Sequence, residues 1–225
     1  MQSVVPVPPI RPPDVLPSMP AAVVQPSAAD NEALRAQVLA SGRVDAEALP
    51  PIDDKGGCSI AAPLRLDAVI LTDGAKVTLL PGVVMRASLA SVVAGWVGED
   101  LAPAIVKGDR LASIEGTGAY ECRSRDGVAG AKLSEHATGN ALDLHALRTK
   151  NGKLFVIAPS NGDTDEVKSF RALMKKTACR RFATVLGPGA DLYHQAHLHV
   201  DLAARRNGMH LCQWDVEDIA ASAKP

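Results

Sequence analysis

Residues 197–201 read His-Leu-His-Val-Asp, and this strict alternation is the feature that most limits what the chain can become. In a strand, successive side chains point to opposite faces. His197, His199 and Asp201 then share one face, while Leu198 and Val200 share the other, where a core must lie. Residues 141–147 carry the same logic, with Asp143 and His145 on one face and Leu142 and Leu144 behind them. Each segment makes a good half-buried strand whose polar face needs a reason to converge. Four of the six histidines, His136, His194, His197 and His199, lie in two short motifs, 134–143 and 193–201.

A metal supplies that reason. His136, Asp143 and His199 form a set of two nitrogens and one carboxylate, which a divalent ion draws to within about 2.0–2.2 Å. Such an ion also offsets the cost of gathering polar groups into a pocket. Three protein ligands leave a further position for water, which separates a hydrolytic site from a closed structural one. The set suits zinc and also Fe(II), whose oxygenases use a similar facial triad. Between the first two ligands, Gly139 permits a tight backbone turn. Taken singly, each of these residues reads as an ordinary satisfied polar group.

At 225 residues the chain has room for one sizeable domain and a flexible segment. A formal net charge of −1 with no long basic run gives no reason to expect nucleic acid or an anionic membrane surface as partner. Lys175, Lys176, Arg180 and Arg181 form a small basic cluster that reads as a solvated helix end. No run approaches the ~20 apolar residues of a membrane helix. Residues 1–27 hold eight of the sixteen prolines and should form an extended tether. The N-terminus lacks the basic region and apolar core of a signal peptide. A tether of this kind fits a chain whose export signal has been removed; a cytosolic chain is the alternative. Cys58, Cys122, Cys179 and Cys212 lack C-x-x-C spacing and suit two disulfides, hence an oxidising compartment. Three pairings are possible. Cys58–Cys122 with Cys179–Cys212 is the one favoured here, and buried free thiols are the alternative.

The periodicity predicts a helix from Ala29 to Ser41, capped by Asp30 or Asn31 and ended by Gly42. Folded structure is expected to begin near residue 56. Val77 to Leu80 reads as a strand, after which Pro81-Gly82 introduces a helix over Met85 to Val97. A further strand lies within Leu111 to Arg123. Asn151-Gly152 reads as a hairpin turn between the strands 141–147 and 154–158. Asp163 to Ala178 is the clearest amphipathic helix, and Ala183 to Leu186 and His197 to Ala203 are the last strands. The expected fold class is α+β, an antiparallel central sheet with segregated helices. The expected organisation is a tether over 1–28, a short helix and linker over 29–55, a folded domain carrying both histidine motifs over 56–213 and a tail over 214–225.

The pattern Ser-x-His-x-x-Gly-x-Ala-x-Asp at 134–143, followed by His-x-His at 197–199, resembles the zinc D-Ala-D-Ala carboxypeptidase and murein endopeptidase group. The hedgehog signalling domain shares that group's fold. Within the group, the chain most resembles the bacterial extensin-like C-terminal domain family. Tyr120-Glu121-Cys122-Arg123, Cys179 ahead of Phe182 and Thr184-Val185-Leu186-Gly187-Pro188 add to the resemblance, which spans roughly residues 56–213.

What the resemblance implies is specific. Zinc is the expected metal, held by His136, Asp143 and His199. His197 matches a candidate general base, and His194 another histidine of the endopeptidase branch, able to orient a water or bind substrate. The glutamate that the carboxypeptidase branch uses is replaced by Ala196, which favours the histidine-based branch. Arg123 or Arg125 matches an upstream arginine that stabilises an oxyanion or grips a substrate carboxylate. Ser134 matches a substrate-contacting serine, although a lone serine is more often a turn residue. His145 and Asp201 are either partners that orient the ligands or ordinary polar strand residues. His210 reads as a surface residue, and Glu135 has no role on sequence grounds.

The implied activity is zinc-assisted hydrolysis of amide bonds in peptidoglycan stem or cross-link peptides, in the bacterial periplasm or cell envelope. A domain that keeps the zinc and binds wall peptides or a protein partner without catalysis is the competing expectation. A structural proline-rich wall protein fits poorly, because the prolines follow no repeat.

Overall fold

The computed structural model describes residues 27–54, 56–128, 130–205 and 208–216. The proline-rich tether expected over 1–28 lies almost wholly outside the described residues, as does the tail beyond Val216.

The chain opens with α1 (Ala28–Ala40), β1 (Val44–Ala48) and the short pair β2 (Ile52–Asp53) and β3 (Ser59–Ile60). Ser27, not Asp30 or Asn31, caps α1: its hydroxyl accepts from the Asp30 amide while the Asp30 carboxylate returns a bond to the Ser27 amide. Folded structure therefore begins well before residue 56. The stretch read as a linker supplies β1, which pairs with β4 (Pro63–Ile70).

β5 (Lys76–Arg86) continues through Pro81-Gly82 to Arg86, whereas the strand was expected to end at Leu80 and a helix to begin at Met85. Against β4 the register passes from Ala68↔Thr78 to Leu66↔Val83, so residues 79–82 bulge out opposite Asp67. A bulge is where a strand tolerates a proline, because no ladder bond is asked of it there. α2 (Ala87–Gly95) follows and continues into a π-helical turn, Trp96–Leu101. Leu89, Val93 and Trp96 on its inner side are fully buried. The Trp96 indole N–H donates to Thr177 Oγ1 at 2.9 Å.

β6 (Leu111–Glu115), β7 (Ala141–Leu144), β8 (Ala146–Thr149) and β9 (Leu154–Val156) come next, then α3 (Asp165–Arg181), β10 (Thr184–Leu186), β11 (Leu198–Asp201) and β12 (Leu211–Gln213). β8 and β9 form a hairpin around Asn151-Gly152, but the strand expected over 141–147 breaks at His145, where the chain passes from the smaller sheet (β7) to the larger one (β8). Thr164 caps α3, whose ends carry acidic and basic residues in the sense that opposes its dipole. Arg180 and Arg181 do end this helix, but both pair with Asp100 in place of facing only solvent.

Two main sheets result, a six-stranded one in the order β1-β4-β5-β6-β8-β9 and a four-stranded one in the order β12-β10-β11-β7. The α+β class stands, but the sheets are mixed and not purely antiparallel. β5 pairs with β6 in parallel, because α2 and its π-helical turn carry the chain back before β6 begins. β10 and β12 are also parallel. Leu142, Leu144, Leu198 and Val200 from the smaller sheet join Leu64, Leu66, Met85 and Trp96 in one core. Full burial of each large aliphatic side chain stabilises the fold by about 1.5–3 kcal/mol.

Disulfides join Cys58 to Cys122 and Cys179 to Cys212, each with Cα atoms 5.6 Å apart. Trp214, which the sequence leaves in a tail, is buried. Among the described residues no helix is long and apolar enough to cross a membrane.

Candidate metal centre

The smaller sheet positions two of the three expected ligands. β11 pairs with β7 so that His199 lies directly opposite Asp143. Leu198 and Val200 are fully buried on the far side, as the alternation requires. His136 comes from a short 3₁₀ turn, Glu135–Thr138, capped by the Ser134 hydroxyl. Gly139 closes that turn at φ +61°, and a Cβ there would come within 2.4 Å of Ile60 Cδ1. The turn is tied down by the Arg86 amide bonding to Gly139, the Arg86 side chain bonding to the Thr138 carbonyl, and Asn140 bonding to the Glu135 carboxylate.

The three groups meet. His199 Nδ1 lies 2.9 Å from Asp143 Oδ1, His136 Nε2 lies 3.2 Å from Asp143 Oδ2, and the two nitrogens are 3.1 Å apart. Tetrahedral ligands at about 2.0–2.1 Å from one zinc ion stand roughly 3.3 Å from each other. The spacing fits such an ion, and this is the cluster of metal-ligating type found among the described residues.

The tautomers fit as well. His136 Nδ1 faces the Ala119 carbonyl, which can only accept, so Nδ1 carries the proton and Nε2 presents its lone pair. His199 Nε2 faces Asp201 Oδ2 at 3.3 Å, which leaves Nδ1 as the bare nitrogen. Partners that fix the second nitrogen are what a ligating imidazole requires. Ala119 is held in place because Gly118 and Asp143 exchange backbone bonds, and the Glu121 amide donates to the His136 carbonyl. The Cys58–Cys122 bridge anchors the same segment.

Burial lowers the His199 imidazole, but the Asp143 and Asp201 carboxylates outweigh it and raise its pKa to about 9. Burial also works against ionisation of Asp143, yet His136 and His199 hold its carboxyl well below the usual carboxylate range. A proton therefore competes with any cation for this site. Around His197, burial pushes the imidazole below its ordinary value, and His194, His145 and His199 oppose the attraction of Asp143.

The three expected ligands and His197, His194, Arg123, Arg125 and Ser134 all line one open cleft of about 480 Å³. His197 Nε2 stands 3.8 Å from Asp143 Oδ1, beside the ligands. The His194 ring lies 5.1 Å from that of His197, and its Nδ1 faces Asp191. Arg123 is half-buried and donates to Glu121 at 2.6 Å, whereas Arg125 is exposed. Ser134 is buried and acts as a turn cap, although it also borders the cleft. Of the two residues weighed as ligand partners, Asp201 bonds to His199. His145 instead bonds to the Gly116 carbonyl, with its ring 5.5 Å from that of His197. His210 is exposed.

Sequence reading missed Asp191, Thr184 and Arg205. The Thr184 hydroxyl bonds to Asp201 and accepts from Arg205 at 2.7 Å, extending the polar chain behind His199. An aspartate three residues ahead of His194 in a Gly-Pro-Gly loop was the available signal for Asp191. Thr184 stood in the sequence only as part of the stretch 184–188, with no role given to it, and Arg205 had no signal, since its partner lies 21 residues away.

A search of curated proteins and a search of solved structures each found no match. A comparison with protein families matched the extensin-like protein C-terminus over residues 34–213, which takes in α1 from Leu34 onward, both main sheets and every residue of the metal centre. The chain belongs to the extensin-like protein C-terminus family.

Proposed function

We propose that this protein is a zinc-dependent peptidoglycan peptidase. It is an endopeptidase that hydrolyses amide bonds in stem or cross-link peptides, built on the zinc D-Ala-D-Ala peptidase and hedgehog fold. The observation that carries this reading is the arrangement of His136, Asp143 and His199 around one point, with two further histidines, His194 and His197, lining the same cleft outside that group. A site that only bound metal has no need of His194 and His197 there.

When bound, zinc supplies Lewis acidity, polarising a scissile carbonyl and acidifying water. His197 is the general base. Its lowered pKa keeps it neutral near pH 7, so it can take the proton that the attacking water loses and return it to the leaving amine. His194 orients that water. Arg123 and Arg125 offer N–H groups to the developing oxyanion or to a substrate carboxylate. Ser134 borders the same space and contributes a polar contact to the substrate.

Ala196 stands where a carboxypeptidase-type glutamate is expected, which favours endopeptidase chemistry. The two disulfides fit the bacterial periplasm or cell envelope as the place of action.

The test is mass spectrometry of purified peptidoglycan and its released muropeptides after incubation with zinc-loaded protein, with chelated protein as control. New chelator-sensitive fragments are expected, and their masses identify the bond cleaved. Intact peptidoglycan after incubation with folded, zinc-loaded protein would sink the peptidase reading and favour a domain that binds wall peptides.

A further inference from the structure

Asp191 lies outside both histidine motifs, in the loop that joins β10 to β11. One of its oxygens, Oδ1, accepts from the Tyr193 and His194 amides at 2.8 and 3.0 Å. Those bonds alone would make it an ordinary turn-forming aspartate. However, Oδ1 and Oδ2 also stand 2.7 and 2.8 Å from His194 Nδ1. The turn does not call for the second oxygen or for the ring contact.

A carboxylate offers only acceptors, so the imidazole nitrogen facing it carries hydrogen. Nδ1 is then protonated and Nε2 is the nitrogen left to act. The His194 side chain is 12% exposed against 39% for Asp191, so the carboxylate backs the ring from the solvent side. The ring in turn lies 5.1 Å from His197 and 5.6 Å from His199. Burial opposes ionisation of Asp191, but the His194 ring and the two amides hold its carboxyl below the usual range.

We propose that Asp191 is a positioning residue that locks His194 in the Nδ1–H tautomer, so that Nε2 accepts a hydrogen bond from the attacking water. This rests on the peptidase reading of the cleft. The division of labour is then definite: His197 takes the proton, His194 aims the water, and Asp191 acts only through His194.

Asp191→Asn tests this, because the asparagine oxygen preserves the bonds to the Tyr193 and His194 amides. The retained oxygen already accepts those two amides, so the NH₂ that replaces Oδ2, 2.8 Å from His194 Nδ1, is the group left to pair with the ring, and it drives the ring proton to Nε2. In the zinc-loaded full chain, kcat for muropeptide release should fall at least about 10²-fold, with KM and zinc content unchanged. In a His194→Ala background the same substitution should cause no further loss.

Nitrogen-15 spectra of the imidazoles give a readout that needs no turnover. The wild-type protein should show His194 protonated at Nδ1 and bare at Nε2, and the variant should show the reverse. A wild-type spectrum with a bare Nδ1 overturns the proposal, even if the variant fails to fold. So does a folded variant with unchanged tautomer, or a loss that persists in full without His194. If the wild-type protein cleaves nothing, the peptidase reading falls. The spectra then decide Asp191's hold on His194 separately.

Discussion

Asp201→Asn is the substitution whose effect on metal binding follows most directly from the geometry. Asp201 is buried, its Oδ2 stands 3.3 Å from His199 Nε2, and its Oδ1 accepts the Ala203 amide at 2.9 Å. An asparagine of the same shape keeps the Ala203 bond through its oxygen, so the strand end is preserved. Its NH₂ then meets His199 Nε2–H, donor against donor. Relief comes from moving the ring proton to Nδ1, the nitrogen that must stay bare to bind zinc. Loss of a partner of this kind lowers metal affinity about 10–100-fold. That corresponds to about 1.4–2.8 kcal/mol at 1.4 kcal/mol per factor of ten. Competition titration against a zinc chelator measures it, with circular dichroism as the check on folding. An unchanged affinity in the folded variant would refute the idea that Asp201 sets the His199 tautomer.

His197→Ala should abolish muropeptide release with zinc still bound, whereas His136→Ala should lose both; metal analysis beside the activity assay separates the two. Gly139→Ala combines a left-handed backbone with a contact at 2.4 Å to Ile60 Cδ1. Denaturant titration should find it destabilised by about 1–3 kcal/mol, with weakened zinc retention because the turn carries His136. Arg171 is 2% exposed and is held by Asp163 at 2.6 Å and by the Val156, Ala158 and Val216 carbonyls. Asp163→Asn should cost about 3 kcal/mol near pH 7, the low end for a broken buried pair because the carbonyls remain. Burial opposes ionisation of Asp163, but the Ser160 amide and Arg171 win and lower its pKa. Its contribution is therefore present above the ordinary carboxylate value and lost as pH falls through the lowered folded one. The stability gap between wild type and variant should close on acidification below that range; a gap constant down to pH 2 would contradict the assignment.

Much of the site was legible because alternation is a local signal. Leu198 and Val200 announce their burial in the sequence, and the donor types mark His199 and Asp143 as candidates, but that the two face each other is set by the pairing of β11 with β7. What stayed hidden depends on contacts between distant residues. The Ala119 carbonyl that sets the His136 tautomer has no side-chain signature, and Thr184 gains meaning only when β10 lies beside β11. The fold shows the same division. The amphipathic pattern of α3 and the Asn-Gly turn before β9 could be read locally. The course of β5 through Pro81 could not, because the bulge that admits the proline is defined by β4. Nor was β1 recognised: Val44, Ala46 and Ala48 alternate with Asp45 and Glu47, but Ala, Asp and Glu favour strands poorly, and the segment becomes a strand by pairing with the edge of β4.

Both faces of β11 are committed, one to the core and one to the cleft, so its phase has no slack. A slip of one residue would carry His199 and Asp201 into the apolar interior and expose Leu198 and Val200. Slipping by two would keep the facing but move His199 about 7 Å along the strand, away from Asp143. An insertion or deletion between Gly187 and His197 must therefore be absorbed entirely within the loop, or it forfeits fold and chemistry together. Point substitutions of the ligands can separate stability from activity, whereas length changes in this segment cannot. Length variation among working relatives should accordingly stop short of His197.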